Sequence, residues 1–171
     1  MATTIPASLV MELRARTGAG VMDCRRALSE AGGDLDRAAA LLRDWGAAKA
    51  EKKAGRVARE GVIESYIHGG GRIGVLVEVN CETDFVARTD DFRRLARELA
   101  MQVAAAEPRF VSRDEVPEAE RDDPAVAPAI LLEQPYIRDE RRTVADLVTE
   151  TVAKVGENIQ VRRFARFKVG E

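Results

Sequence analysis

Apolar positions change period several times along this chain, and each change marks an element. In residues 6–46 they recur at helical spacing in three short runs. Leu9, Val10 and Leu13 share a face of the first run. Val21, Cys24, Ala27 and Leu28 face inward in the second, and Leu35, Ala38, Leu41, Leu42 and Trp45 line the third. Thr17-Gly18-Ala19-Gly20 supplies the first turn, with glycines free to take backbone angles that other residues avoid. Gly32-Gly33 ends the second helix, and Asp34 is placed to cap the third. A three-helix unit of this size is marginal alone. Met22, beside Val21, is either core filler or part of an exposed apolar edge, and spacing leaves both open.

Residues 47–60 are rich in alanine and lysine and read as a basic, partly helical linker. Lys49, Lys52, Lys53, Arg56 and Arg59 outweigh Glu51 and Glu60. The segment is either a patch for RNA or an acidic partner, or a solvated connection. It lacks the interleaved aromatics that stack on bases. From Gly61 the period falls to two. Residues 62–67 and 73–79 are predicted strands, joined through His68-Gly69-Gly70-Gly71-Arg72 as a hairpin. The glycine triplet is not a phosphate cradle, because no Gly-Lys-Ser/Thr follows and it leads into a strand.

Phe92, Leu95, Ala96, Leu99 and Val103 then return to helical spacing, predicting a helix from Asp90 to Ala106 capped by Thr89. Between strand and helix lies Asn80-Cys81-Glu82-Thr83-Asp84-Phe85-Val86-Ala87-Arg88. Such connections lie at the surface. Phe85 beside Asp84 is either a recognition tip or a side chain tucked under the helix. Residues 109–111 read as a short strand, and 112–128 as an acidic, proline-containing loop with little regular structure. Thr143 caps a helix lined by Val144, Leu147, Val148, Thr151, Val152 and Val155 and stopped by Gly156. Residues 159–169 form the last strand. Strict alternation puts Ile159, Val161, Ala165, Phe167 and Val169 on one face and Phe164 on the other.

The pattern gives an α+β chain in three parts: a three-helix module over 1–46, the linker over 47–60, and a core over 61–171 with a three-stranded antiparallel sheet packed with helices. The 171 residues carry a net charge of −2, which argues against a general nucleic-acid binder. Cys24 and Cys81 form no CxxC or Cys/His cluster, so no metal or cofactor site is expected. Two isolated cysteines suit the reducing cytoplasm. No apolar run is long enough for a membrane helix. No nucleophile–base pair is evident, so the chain does not read as an enzyme.

Asn80-Cys81-Glu82-Thr83-Asp84-Phe85-Val86 closely resembles the signature of the elongation factor Ts family. Leu13-Arg14-Ala15-Arg16-Thr17-Gly18-Ala19-Gly20-Val21-Met22-Asp23-Cys24 forms a second matching block, and Lys154-Val155-Gly156-Glu157-Asn158-Ile159 a third. The resemblance implies a guanine-nucleotide exchange factor for the translational GTPase elongation factor Tu, binding its GDP-bound and nucleotide-free forms. It makes the N-terminal module ubiquitin-associated-like. It assigns partner contact and magnesium dislocation to Thr83, Asp84, Phe85 and Val86, with Phe85 as a wedge, and a second contact to Leu13, Val21 and Met22. Relatives often carry methionine where this chain has Val21. The family's long form has two related core halves and this chain has one. That implies a homodimer, with the C-terminal strand, through its edge or Phe164, as the contact. The competing reading is an RNA-binding or ubiquitin-like helical interaction module within the first 60 residues.

Overall fold

The computed structural model describes residues 5–171; the first four residues of the predicted 1–46 module lie outside the described residues. Helices α1 (Ala7–Thr17), α2 (Val21–Glu30) and α3 (Leu35–Glu51) come first. Gly18, in the left-handed region at φ 67°, ends α1 by donating its N–H to the Arg14 carbonyl. The Asp34 carboxylate accepts from the amides of Asp36 and Arg37, both at 2.9 Å, and so caps α3. Val10, Leu13, Cys24, Ala27, Leu28 and Ala38 form a small buried cluster, with Leu9, Leu41, Leu42 and Trp45 packed around it. Val21 departs from the sequence reading. It opens α2, one turn ahead of Cys24, and stands 44% exposed.

Helix α3 continues past residue 46 to Glu51 without a break. The basic residues at its end turn back onto the protein. Lys49 pairs with Asp23 at 3.1 Å, Arg56 pairs with Glu82 at 3.6 Å, and Lys53 donates to the Gly156 carbonyl.

The second hydrophobic cluster belongs to an antiparallel sheet of β1 (Glu60–His68), β2 (Ile73–Cys81) and β5 (Gln160–Lys168), in the order β1-β2-β5. The central strand turns Val75, Val77, Val79 and Cys81 inward, where they meet Phe92, Leu95, Leu99 and Val103 of the long helix Asp90–Ala106. A one-turn helix, α4 (Asp84–Ala87), precedes that long helix, which is therefore α5. Helix α6 (Val144–Val155) packs beside α5 and also against α3. It carries a capping box: Thr143 accepts from the Asp146 amide, and the Asp146 carboxylate accepts from the Thr143 amide. Gly156 at φ 78° ends it.

Three expectations need correction. Arg162 is an extra residue in β5, because Val79 pairs with Val161 while Glu78 pairs with Arg163. This bulge reverses the alternation beyond it. Phe164 lies opposite the buried Val77 and packs on the core, whereas Phe167 is 72% exposed. Residues 109–111 form no strand, only a parallel bridge between Phe110 and Ile130. The following segment is more ordered than its composition suggests. It makes successive 3-10 turns at Arg113–Glu115, Glu118–Glu120 and Pro124–Ala129, pinned by the buried Val116 and an Arg113–Glu133 ion pair. A further hairpin, β3 (Pro135–Tyr136) with β4 (Asp139–Thr143), links this segment to α6.

Gly61 shows where the sheet tolerates no side chain. Its φ is 149°, and a Cβ there would lie 2.1 Å from the Val79 carbonyl oxygen and 2.8 Å from the Asn80 Cα. Both obstacles are backbone of the paired strand. Gly70, at φ 67°, faces open space. Thermal unfolding should therefore rank the two substitutions. Gly70→Ala should cost about 1 kcal/mol for the left-handed backbone, and Gly61→Ala at least about 2 kcal/mol because a strand must also shift. Equal costs would show that the close approach does not matter.

Candidate partner-binding surface

The connection from β2 to α5 is built around α4. Thr83 is its N-cap, and the threonine oxygen accepts from the Val86 amide at 3.3 Å. One turn of helix divides the four residues by direction. Val86 and Ala87 point into the core, each 5% exposed. Phe85 points away and is 77% exposed. Asp84 is also exposed, and its carboxylate pairs with the likewise exposed Arg88, at 2.7 Å. An ion pair so open to water contributes little stability, so the carboxylate can exchange that partner at small cost. Of the predicted contact residues here, Thr83, Asp84 and Phe85 stand at the surface. Val86 is a correction: it anchors the turn from beneath.

The turn is held from both ends. Downstream, the Thr89 hydroxyl donates to the Val86 carbonyl at 2.7 Å, and the Thr89 oxygen accepts from the Phe92 amide as the cap of α5. Upstream, the Glu157 carboxylate accepts from the amides of Glu82 (3.1 Å) and Thr83 (3.0 Å) and from the Thr83 hydroxyl (2.7 Å). The Glu82 carboxylate in turn accepts from the Asn158 amide at 2.7 Å. Asn158 is buried, and its side chain donates to the carbonyls of Ala54 and Arg56. Beneath the turn, burial and then the Glu157 charge push the Cys81 thiol up to about 11. The thiol therefore stays protonated and donates to the Thr83 carbonyl at 3.1 Å.

Nothing in the local pattern of residues 80–88 indicates Glu157 or Asn158, which lie far along the chain. Their only trace in the sequence is the block Lys154–Ile159 that shares the family resemblance.

The N-terminal module offers a second surface. Met22 is 74% exposed, Val21 44%, and Met11 on α1, which spacing did not mark out, 54%. Leu13 is a correction. It is wholly buried in the cluster of α1, α2 and α3, so it shapes this surface only from beneath. Among the described residues no group of three or more His, Cys, Asp or Glu side chains is gathered to hold a metal ion. The exposed chemistry of the two surfaces is apolar contact, with the loosely paired Asp84 carboxylate beside Phe85, suited to gripping another protein.

A sequence model described as elongation factor TS matches residues 49–125. Over 195 aligned positions the chain is 53% identical to elongation factor Ts of Carboxydothermus hydrogenoformans, covering 98% of this chain and 90% of that protein. It is 51% identical to elongation factor Ts of Desulforamulus reducens, with the same two coverages. Identity to elongation factor Ts of Thermoanaerobacter sp. is 53%, over 98% of this chain and 96% of that one. The chain belongs to the elongation factor Ts family. It is thus a factor of translation elongation, and its α+β fold with a three-helix N-terminal region is consistent with that family. These alignments run over more positions than the 171 residues of the chain, so its elongation factor Ts relatives carry stretches without a counterpart here.

The exposure of Phe85 has a direct consequence for stability. Phe85→Ala should change the unfolding free energy by no more than about 0.5 kcal/mol, as surface substitutions do. Phe92→Ala, at a wholly buried position, should cost about 3–5 kcal/mol. Denaturant titration of both variants checks this, and a large loss for Phe85→Ala would mean that the ring contributes to the core.

Proposed function

We propose that this chain promotes GDP release from elongation factor Tu by inserting Phe85 into the GTPase. The observation that carries the reading is a large aromatic ring, 77% exposed, on a turn whose other face is locked into the core. A ring held out in this way presents a wedge already in shape, so little ordering entropy is lost on contact. Asp84 stands beside it with a carboxylate free to displace groups that support the bound magnesium ion. Magnesium demands near-ideal octahedral geometry, so a small displacement of its surroundings weakens GDP binding. Linkage requires the converse: a surface that favours the nucleotide-free GTPase lowers nucleotide affinity by the same factor. Val21 and Met22 supply a second grip through the N-terminal module, and the two hydrophobic clusters support treating that module and the core as separate units. The reaction belongs to the cytoplasm, and no described helix is long and apolar enough to cross a membrane.

The competing RNA-binding reading rests on the basic residues of 47–60, a segment that carries no aromatic side chain to stack on bases.

We also propose that two copies pair through the outer face of the sheet. Ile63, Ile67, Leu76 and Phe167 stand out from that face, between 49% and 72% exposed. They cluster around the small residues Gly74, Ser65 and Ala165, and the Glu78–Arg163 ion pair borders them at one end. Such a face matches its own copy across a two-fold axis, sheet on sheet. The contact thus falls on Phe167, since the bulge turns Phe164 inward.

Two experiments test these readings. In stopped-flow traces of labelled GDP leaving elongation factor Tu, the chain should accelerate release. Phe85→Ala should reduce the acceleration by about 30-fold or more, the loss of a central aromatic anchor, and Asp84→Ala should reduce it less. No acceleration by the unmodified chain would end the exchange reading. For pairing, light scattering at tens of micromolar should give a dimer mass, and Phe167→Asp a monomer; a monomeric unmodified chain would refute the pairing.

A further inference from the structure

We propose that Glu157 is the positioning residue of the exchange tip: its carboxylate, reaching across from the end of α6, sets the direction in which Asp84 and Phe85 project. This rests on the exchange reading above and adds to it a residue outside the four-residue tip. The physical need is plain. Helix α4 has four residues, far too few to hold a helical turn unaided. Its downstream end is tied to α5 and the core through Val86, Ala87 and Thr89. Its upstream end is tied by the Cys81 thiol and, chiefly, by Glu157.

The geometry of that tie is specific. One carboxylate oxygen of Glu157 accepts both the Glu82 and the Thr83 amides, and the other accepts the Thr83 hydroxyl proton at 2.7 Å. A threonine hydroxyl has one proton to give. With that proton committed to Glu157, the lone pairs of the Thr83 oxygen are turned toward the Val86 amide, the bond that caps α4. Glu157 therefore fixes the cap as well as the backbone entering the turn. Its own place is secured at once by Gly156, which ends α6, and by Asn158, bonded to Glu82, Ala54 and Arg56. The carboxylate thus sits on a rigid base, with the exposed ring of Phe85 at the far end of the lever. Hydrogen bonds to an ionised group are the strong ones, which suits a tie that must resist the reaction of the partner against the wedge.

The test uses the full chain as E157A, E157Q, F85A and the double variant F85A/E157A. Three readouts are taken: thermal unfolding, hydrogen exchange at the Thr83 and Val86 amides, and GDP release by stopped flow at increasing factor concentration. E157A should speed exchange at both amides and lower the maximal release rate by about tenfold, equivalent to about one of the three charged hydrogen bonds it deletes, with half-saturation moving less than about twofold. On the F85A background it should cause little further loss, because only Asp84 is left to aim. E157Q should recover most of the rate, since its carbonyl oxygen still accepts the two amides. Should E157A not fold, Glu157→Asp, which keeps the charge but shortens its reach to the Glu82 and Thr83 amides by one methylene, carries the same comparison. A maximal rate for E157A equal to that of the unmodified chain, or losses that add in the double variant, would overturn the assignment. If F85A is slow and E157A is not, exchange through Phe85 stands and the role of Glu157 falls. If F85A itself is as fast as the unmodified chain, both fall.

Discussion

The packing of β2 against α5 is the contact on which the rest of this structure depends. Val75, Val77, Val79 and Cys81 leave no room on the inner face of the central strand, and Phe92, Leu95, Leu99 and Val103 close over them. Both elements are fixed by burial, so the chain between them has little freedom. It must leave the end of the strand and enter the helix through Glu82 to Thr89. The cheapest way to use those residues is one helical turn that drops Val86 and Ala87 into the core. Phe85 is then thrown outward as a geometric consequence, and the same burial that stabilises the core presents the ring.

An exposed ring gains nothing for folding, and a turn this short has no stability of its own. The network of Glu157, Asn158 and Glu82 answers both difficulties. It joins three segments that are remote in sequence: the chain after α3, the end of β2 and the chain after α6. In the proposed exchange reaction this matters because a wedge transmits force only if its mount does not yield. The same design serves the exchange tip, where the buried Val86 anchors the turn that carries the exposed Phe85.

Much of this was legible in the sequence, and the failures have identifiable causes. Helix α5 was readable to the residue, because Thr89 and two aspartates mark its start and the apolar spacing is regular. The Thr143 cap and the Gly156 stop were equally plain. The fate of Phe164 was not, because a bulge is a property of two paired strands, and a period of two within one strand cannot reveal the extra residue at Arg162. The β3–β4 hairpin was hidden for another reason: Asp139-Glu140-Arg141-Arg142 carries none of the apolar alternation by which strands are recognised. At the site, the surface position of the turn followed from its place between strand and helix. The division of Thr83-Asp84-Phe85-Val86 into outward and inward residues required the helical turn itself. Glu157 was beyond reach, since its role arises only from tertiary proximity.

In the proposed exchange reaction Phe85 acts as a wedge and does more than anchor the factor to its partner. The direct measurement is the affinity of the chain and of Phe85→Ala for elongation factor Tu in its GDP-bound and its nucleotide-free forms. A wedge is used only where it displaces what holds the nucleotide. The unmodified chain should therefore prefer the nucleotide-free form by at least about tenfold. Phe85→Ala should erase most of that preference while leaving affinity for the GDP-bound form nearly unchanged. Equal weakening toward both forms would mean that Phe85 is an ordinary anchor and not a wedge.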